Sequence, residues 1–364
     1  MVIGGGRTLA RSEYGSTLLG TDRAMPQIVV FGRCPWPQVS TGRHRDGWAA
    51  VADGALMTRL RAWPALRMAV LGAAGAVLVV GPVLGALAAR ATASPFPGDA
   101  ASNVGPDSYL ALGDSLAFGE QPNGVAGKGY VDDLWRDVRQ EIPSLRLRNV
   151  SCPGETSHSL ITGRRSPCDY AAGSQLDAAV AFLEAHPEQV AFITLDIGSN
   201  DLFARCLDGD TYLLDKACAV DLRPRLQARL THIVRTLRTA AGPDVPILAM
   251  TYYNPLLGLW GLVPGGRSLA RANQRVWSVF NAGLADAYWD AGAKVANVAA
   301  TFRTGDFTHT VVVPDRGRLP VNVALACRWT WFCSARFTGD PHANQRGYRK
   351  IAGTFERVLH RQLH

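Results

Sequence analysis

Several common signatures of ligand binding are missing from this chain. Its cysteines and histidines do not form the spaced cluster of a zinc site, and neither a P-loop nor a strand followed by G-x-G-x-x-G occurs. The sequence therefore contains no signal for a structural zinc ion, a nucleoside triphosphate or a dinucleotide, and we expect no cofactor. No internal repeat is present either.

Most of the chain has little net charge, although the formal net charge of the whole sequence is +8. Residues 1–93 contain ten Arg and four acidic residues, which leaves 28 basic and 26 acidic residues in 94–364. The excess of about six positive charges in the first segment belongs to a leader and does not argue for a nucleic-acid partner.

Charged residues are absent from Met68–Ala89, a run composed mostly of Ala, Val, Leu and Gly. Three arginines within 59–67 precede it and Ala-Thr-Ala at 91–93 follows, which together predict a secretory signal peptide over 57–93. An uncleaved membrane anchor is the alternative, because the run is long enough to span ~30 Å of hydrocarbon. We favour cleavage before Ser94 and a secreted protein, since Gly and Pro interrupt the run.

The chain divides into four parts on this basis. Residues 1–56 are a leader that either belongs to the translated chain or lies upstream of a true start at Met57. The signal peptide covers 57–93, and a Pro- and Gly-rich linker covers 94–107. Residues 108–364 form the folded domain.

Six of the seven cysteines lie in the exported part. Six cysteines in a secreted chain suggest three disulfides, for which fifteen connectivities are possible. The spacing leaves 15, 11 and 5 residues between successive partners and favours local pairs. The predicted pairs are Cys152–Cys168, Cys206–Cys218 and Cys327–Cys333, whereas buried free thiols would fit a secreted protein poorly.

Apolar runs alternate with helical patterns along the domain. The predicted strands are Ser108–Leu112, Leu145–Val150, Val190–Ile197, Val245–Thr251 and Lys294–Ala300. The predicted helices are Tyr130–Ile142, Ser174–Ala185, Arg223–Ala241, Ser268–Ala291 and His342–His360. This alternation predicts an α/β fold, a three-layer α/β/α sandwich with a central parallel sheet of about five strands. Ligands bind such sheets beyond the carboxyl ends of the strands.

The first strand runs into Gly113-Asp114-Ser115-Leu116. A serine at the end of a buried strand and the head of a helix suits a nucleophile whose reaction develops an oxyanion. An ordinary strand-to-helix turn with Ser as helix cap is the commoner meaning of a single such tripeptide. The other motifs of the chain are needed to choose between a nucleophile and a helix cap.

Three further blocks follow in order: the turn at Gly154, Gly198-Ser199-Asn200-Asp201, and Asp340-Pro341-His342-Ala343-Asn344. Together with the first block, they resemble the four blocks of the GDSL, or SGNH, hydrolases. The resemblance spans about residues 108–355, and with the cysteine pairs the chain looks most like the secreted actinobacterial esterases and lipases. It implies a flavodoxin-like SGNH-hydrolase fold.

The resemblance implies a role for each block. Ser115 would be the nucleophile and His342 its general base. The Ser115 N–H, the Gly154 N–H and the Asn200 amide would donate to the oxyanion. Asp114 and Asp201 more plausibly brace their loops than react.

The His block departs from the family pattern in two places. The family usually places its acid three residues before the His, where this chain has Gly339, and the nearest acid is Asp340, two residues before. Side chains at i and i+2 share a face in an extended segment, so Asp340 can still orient His342. A main-chain carbonyl is the alternative. Ala343 also replaces the usual Pro, and no G-x-S-x-G elbow surrounds Ser115.

An apolar loop, Tyr252–Pro264, follows the fourth strand. It could line an acyl pocket or touch a lipid surface, or it could simply complete the core.

These features predict a secreted, monomeric serine esterase or lipase that hydrolyses ester substrates without a metal or cofactor. Carbohydrate O-deacetylation or phospholipid hydrolysis could use the same residues. A non-catalytic domain that binds a glycan or lipid is the alternative from another class.

Overall fold

A parallel sheet of five strands forms the centre of the fold. The computed structural model describes residues 105–125 and 127–363, so the predicted leader, signal peptide and most of the linker lie outside the described residues. The strands are β1 (Ser108–Gly113), β2 (Arg146–Asn149), β3 (Val190–Asp196), β4 (Ile247–Met250) and β5 (Lys294–Ala296). Their spatial order is β2-β1-β3-β4-β5, and every neighbouring pair is parallel.

Burial explains which strands lie inside the sheet. Every residue of β1 and β4 is buried, as expected for strands covered on both faces. Strand β2 pairs only with β1, and its residues Arg146 and Arg148 face solvent. Charged residues on an edge strand discourage pairing with another chain.

Helices cover the sheet on both faces. The α-helices of the described residues are α1 (Ser115–Phe118), α2 (Tyr130–Val138), α3 (Ser157–Thr162), α4 (Gln175–Ala185), α5 (Ser199–Cys206), α6 (Lys216–Ala241), α7 (Gly266–Asp290), α8 (Val298–Thr301), α9 (Val321–Trp329) and α10 (Gln345–Leu363). Helix α2 packs on α10, where the rings of Tyr130 and Phe355 stack, and α6 packs between α4 and α7. The predicted three-layer α/β/α fold with five parallel strands is confirmed.

Several predicted boundaries are wrong, and side-chain caps explain three of them. The fifth strand ends at Ala296 because Asn297 accepts a hydrogen bond from the Ala300 N–H and starts α8. Helix α6 begins seven residues earlier than predicted, where Asp215 caps it. The last helix begins at Gln345 because the Asn344 side chain accepts from the N–H groups of the first turn. His342 therefore lies in the preceding loop.

Other elements carry no strong pattern in the sequence. They include α3, α5, α9 and an antiparallel ribbon of β6 (Thr310–Val313) and β7 (Gly317–Pro320). The apolar loop after β4 contains a 3₁₀-helix, Pro255–Gly261, whose residues 255–259 are buried against α7 and α9. Burial of this loop favours the interpretation that it completes the core.

The structure contains disulfides Cys152–Cys168, Cys206–Cys218 and Cys327–Cys333. Among the described helices, none is both long and apolar enough to cross a membrane.

Candidate active site

Ser115 lies where β1 gives way to α1. The Asp114 carboxylate accepts a hydrogen bond from the Leu116 N–H at 3.0 Å and caps the short helix. Ser115 thereby becomes the first helical residue, with its Oγ at the carboxyl edge of the sheet. That Oγ lies 3.0 Å from Nε2 of His342.

His342 reaches this position from the loop between α9 and α10. The Asp340 Oδ1 accepts from the His342 N–H at 2.9 Å and lies 3.0 Å from Nδ1 of the same residue. Tyr253 donates to the Pro341 carbonyl at 2.8 Å and holds the loop against the end of β4. The two-residue spacing thus brings the carboxylate to the imidazole, and the structure brings Ser115, His342 and Asp340 into one hydrogen-bonded row.

The charge around His342 affects its basicity. Burial lowers the pKa of His342, and the hydrogen bond and charge of Asp340 act against this effect. Glu120 and Asp114 add smaller contributions of the same sign, and the pKa of His342 ends above its ordinary value. The arrangement therefore favours an imidazolium, the form that follows proton abstraction from Ser115.

Three hydrogen-bond donors lie near the serine turn. In the described part of the chain, the N–H groups of Ser115 and Gly154 donate to no protein acceptor. Gly154 has φ of 79°, a left-handed conformation that side chains disfavour. Asn200 is buried, and its Nδ2 donates to the Glu155 carbonyl at 2.8 Å, which places the amide beside the Gly154 turn.

Buried hydrogen bonds connect the first and third blocks. Asp114 Oδ2 accepts from Ser199 and from Tyr252, both at 2.8 Å. Asp201 accepts from the N–H and the hydroxyl of Ser157, beyond the Gly154 turn. Both aspartates brace loops, in agreement with the role expected for them.

Two residues that support this framework escaped the sequence analysis. Gln175 accepts from the Gly113 N–H at 2.7 Å and donates to the Gly113 carbonyl at 3.1 Å. Its amide also donates to the buried Glu155 carboxyl, whose pKa is raised by burial. Gln175 is the second residue of the predicted helix Ser174–Ala185, and no sequence signal distinguishes it from an ordinary first-turn residue.

Glu120 is the third residue that the sequence analysis missed. Its Oε2 lies 3.6 Å from Nε2 of His342, and its side chain is 41% exposed. Tyr348 of α10 donates to its carbonyl at 2.7 Å and anchors the loop that follows α1. A second carboxylate therefore stands at the entrance to the Ser115–His342 pair.

Asp196, at the end of β3, lies beside the turn that carries Ser115. Tyr130 donates to its Oδ1 at 2.7 Å, and the charge of the Asp114 carboxyl acts on it. Burial first, and then the charge of Asp114, raise the pKa of Asp196 well above its usual range. Both effects favour the protonated form of Asp196.

No metal site is evident in residues 105–125 and 127–363, where no three His, Cys, Asp or Glu side chains converge. The residues of the site are instead those of acyl transfer: a hydroxyl, an imidazole, a carboxylate and nearby amide donors.

Solved structures with a similar fold have low identity to this chain. An extracellular lipase from Streptomyces rimosus is 17% identical, with 69% of this chain and 99% of that chain covered and a TM-score of 0.44. Phospholipase A1 from Streptomyces albidoflavus is 16% identical, with 70% of this chain and 99% of that chain covered and a TM-score of 0.41. An acetylxylan esterase from Geobacillus stearothermophilus is also 16% identical, with 70% of this chain and 95% of that chain covered and a TM-score of 0.40. Comparison with curated proteins gave no match.

A family profile also matches this chain. The profile of the GDSL-like Lipase/Acylhydrolase family matches residues 111–350, which is 240 of the 364 residues. This segment runs from β1 into α10 and includes all four sequence blocks. The chain therefore belongs to the GDSL-like lipase/acylhydrolase family and is a carboxylic ester hydrolase.

Proposed function

We propose that this protein is a secreted serine esterase or lipase that cleaves carboxylic esters through an acyl-enzyme on Ser115. The observation that carries the proposal is the row of hydrogen bonds from Ser115 through His342 to Asp340. Both links measure 3.0 Å between heavy atoms, within reach for proton transfer.

In the first half of the reaction, His342 Nε2 removes the Ser115 proton as Oγ attacks the ester carbonyl. Asp340 stabilises the resulting imidazolium through Nδ1. His342 then protonates the departing alcohol, which leaves an acyl group on Ser115. In the second half, His342 activates a water molecule, and the carboxylic acid is released.

The tetrahedral intermediate carries a negative oxygen that needs fixed donors. The N–H groups of Ser115 and Gly154 are available, since neither bonds to protein in the described residues. The Asn200 Nδ2 donates one N–H to the Glu155 carbonyl and has a second N–H that can donate to the oxyanion. Loss of one such donor lowers kcat by about 10²–10³ in enzymes of this kind, and we expect a similar loss for Asn200→Ala.

The proposed location outside the cytosol rests on the three disulfides. Such bonds persist in oxidising compartments and are rare in the cytosol. The predicted signal peptide points the same way.

A fluorophosphonate probe tests the proposed chemistry because it reacts only with an activated serine. We expect the folded, oxidised protein to be labelled at Ser115, and labelling to be lost in Ser115→Ala and strongly reduced in His342→Ala. An unlabelled wild-type protein with intact disulfides would refute the enzymatic role of Ser115 and favour a binding domain.

A further inference from the structure

A cavity of about 320 Å³ lies between the loop that follows α1 and the beginning of α10. It is distinct from the Ser115–His342 pair but close to it. Its wall includes Gln121, Lys128, Arg328, Trp331, Asn344 and Arg346.

The charge of this wall is unbalanced. Lys128, Arg328 and Arg346 all line the cavity, and no acidic residue is among the described residues of its wall. The ion pairs of the described chain include none of these three cations, whereas arginines elsewhere, such as Arg136, pair with an aspartate. Uncompensated positive charge around a concave surface attracts anions.

A neutral donor lies in the same wall. The Gln121 amide donates one long hydrogen bond to the Val125 carbonyl at 3.4 Å and keeps a second proton, whereas both amide protons of Asn344 are donated to the Arg328 and Thr330 carbonyls. A compact anion with several acceptor oxygens would match the three cations and the Gln121 amide.

The cavity adjoins the side of the site from which the alcohol departs. Asn344 follows His342 by two residues, which limits their Cα separation to about 7 Å. Gln121 follows Glu120, whose carboxylate lies 3.6 Å from His342 Nε2. As general acid, Nε2 must reach the oxygen of the departing alcohol, so the alcohol portion of the ester lies beside His342.

We propose that this cavity binds a compact anionic group, such as a phosphate, carried by the alcohol portion of the ester substrate a few bonds from the scissile ester. The proposal rests on the esterase function proposed above and adds the substrate class. Lys128, Arg328 and Arg346 would neutralise the anion, and the Gln121 amide would donate to it. Glu120 predicts the opposite preference, for a cationic alcohol, so the sign of the selectivity decides between the two.

The test compares three soluble butyrate esters that differ in the charge of the alcohol. They are 1-butyrylglycerol 3-phosphate, 1-butyrylglycerol and butyrylcholine, with butyrate release followed in a pH-stat. We expect kcat/KM to fall in that order, with a difference of about tenfold between the first two, mainly through KM. Equal values for the first two esters, or a preference for butyrylcholine, would overturn the proposal.

Variants then locate the selectivity. In Arg328→Gln/Arg346→Gln, the ratio of kcat/KM for the phosphate ester to that for 1-butyrylglycerol should fall about tenfold. Arg361→Gln is the matched control, because it removes the same charge from α10 at a site 15 residues, or about 22 Å, from Arg346. A ratio that stays at the wild-type value in the double variant, or that falls equally in Arg361→Gln, would show that the cavity does not select the substrate.

A binding measurement separates failure of this proposal from failure of the esterase function. Glycerol 3-phosphate should bind to the Ser115→Ala protein in calorimetry, more tightly than inorganic phosphate, and binding should weaken about tenfold in the double variant. Inorganic phosphate that binds as tightly as glycerol 3-phosphate would identify a site for free phosphate and overturn the substrate assignment. Hydrolysis of 1-butyrylglycerol by the wild type, lost in Ser115→Ala, reports separately on the esterase function.

Discussion

At the scale of single residues, Asp340 shows how an acid displaced by one position still reaches the imidazole. It lies one position later than the family pattern expects, yet its Oδ1 contacts both the backbone N–H and Nδ1 of His342. No main-chain carbonyl takes the Nδ1 position among the described hydrogen bonds. A carboxylate in this position orients the ring and stabilises its charged form.

Asp340→Asn should therefore leave the fold intact and lower kcat sharply. The equivalent change in a serine-protease triad costs about 10⁴ in kcat, which sets the scale. A backbone carbonyl as the true partner would limit the loss to about tenfold, the effect of one modest hydrogen bond. His342→Ala is the control, since its activity should be severely reduced in either case. Steady-state kinetics of an active ester substrate gives the measurement.

The pH profile offers a second view of the same contact. His342 acts as a base in its neutral form, and the Asp340 carboxylate favours the protonated form, so the acidic limb of kcat/KM should lie above pH 6.5. A neutral side chain at position 340 removes this stabilisation, and the limb of Asp340→Asn should move to lower pH. An unshifted limb would assign it to a group other than His342.

The buried acid Asp196 leads to a prediction about stability. Above its ordinary pKa of about 4 the unfolded chain releases the Asp196 proton, whereas the folded chain holds it to higher pH because its pKa is raised. The contribution of Asp196 to stability is thus complete below that pH and declines as pH rises toward the folded pKa. Asn keeps the shape and the hydrogen bond from Tyr130, and it has no proton to release. In urea titrations, the free energy of unfolding of Asp196→Asn relative to that of wild type should increase as pH rises from 4 to 7.5.

Asp114→Asn is the matched comparison for that experiment. Asp114 accepts from Leu116, Ser199 and Tyr252, and a neutral amide cannot accept all of these bonds as well. This variant should lose stability at pH 7.5. A relative stability of Asp196→Asn that does not increase with pH would mean that Asp196 is ionised in the folded protein.

At the scale of elements, the beginning of α10 determines where the His loop lies. A Cβ at Gly347 would stand 2.0 Å from the Trp329 carbonyl, which also accepts the Asn344 N–H at 3.0 Å. The carbonyl cannot move away without breaking its hydrogen bond to Asn344, the residue just before α10. Gly347 therefore permits α10 to approach the end of α9 closely.

Gly347→Ala should reduce the free energy of unfolding by about 1–3 kcal/mol and lower kcat, because the displaced helix carries the His342 loop with it. Gly353→Ala is the control on the same helix. A Cβ there meets no atom closer than 3.7 Å, and that atom is the flexible end of Arg357. It should stabilise by about 0.5–1 kcal/mol, the usual gain for Gly→Ala within a helix. Equal effects of the two changes in urea unfolding would contradict the packing argument.

At the scale of the whole molecule, disulfides and export belong together. Cys152–Cys168 closes a loop with a sequence separation of 16. In the chain-entropy model, this crosslink contributes about 3 kcal/mol by restricting the unfolded chain. The Cys152→Ser/Cys168→Ser protein should lose about that amount in denaturant unfolding. Free thiols at these positions in the purified wild-type protein would refute the pair.

Export leads to a prediction for the mature chain. Cleavage after Ala91-Thr92-Ala93 should give a secreted protein that begins near Ser94, which N-terminal sequencing can establish. A protein retained by the cell with Met68–Ala89 attached would support the anchor instead.

The sequence alone determined the five strands, most helices and the order of the four blocks, because each is a local pattern. A buried parallel strand is a run of apolar residues, and a nucleophile turn is a short motif at its end. Parallel strands share one carboxyl edge, so Ser115, Gly154 and Asn200 could be expected together. The cysteine spacing was informative for the same reason, since close partners need little loop-closure entropy.

Only the tertiary structure decided the contacts between distant segments. Gln175 holds Gly113 across 62 residues, and Glu120 meets His342 across more than 200. Element boundaries also depended on such contacts, as the cap at Asn344 and the close approach at Gly347 show. The cavity lined by Lys128, Arg328 and Arg346 has no sequence pattern, because its residues come from three segments that only the packing of α10 brings together. Side chains far apart in sequence leave no periodic trace of their contact, and their meeting is a property of the folded chain.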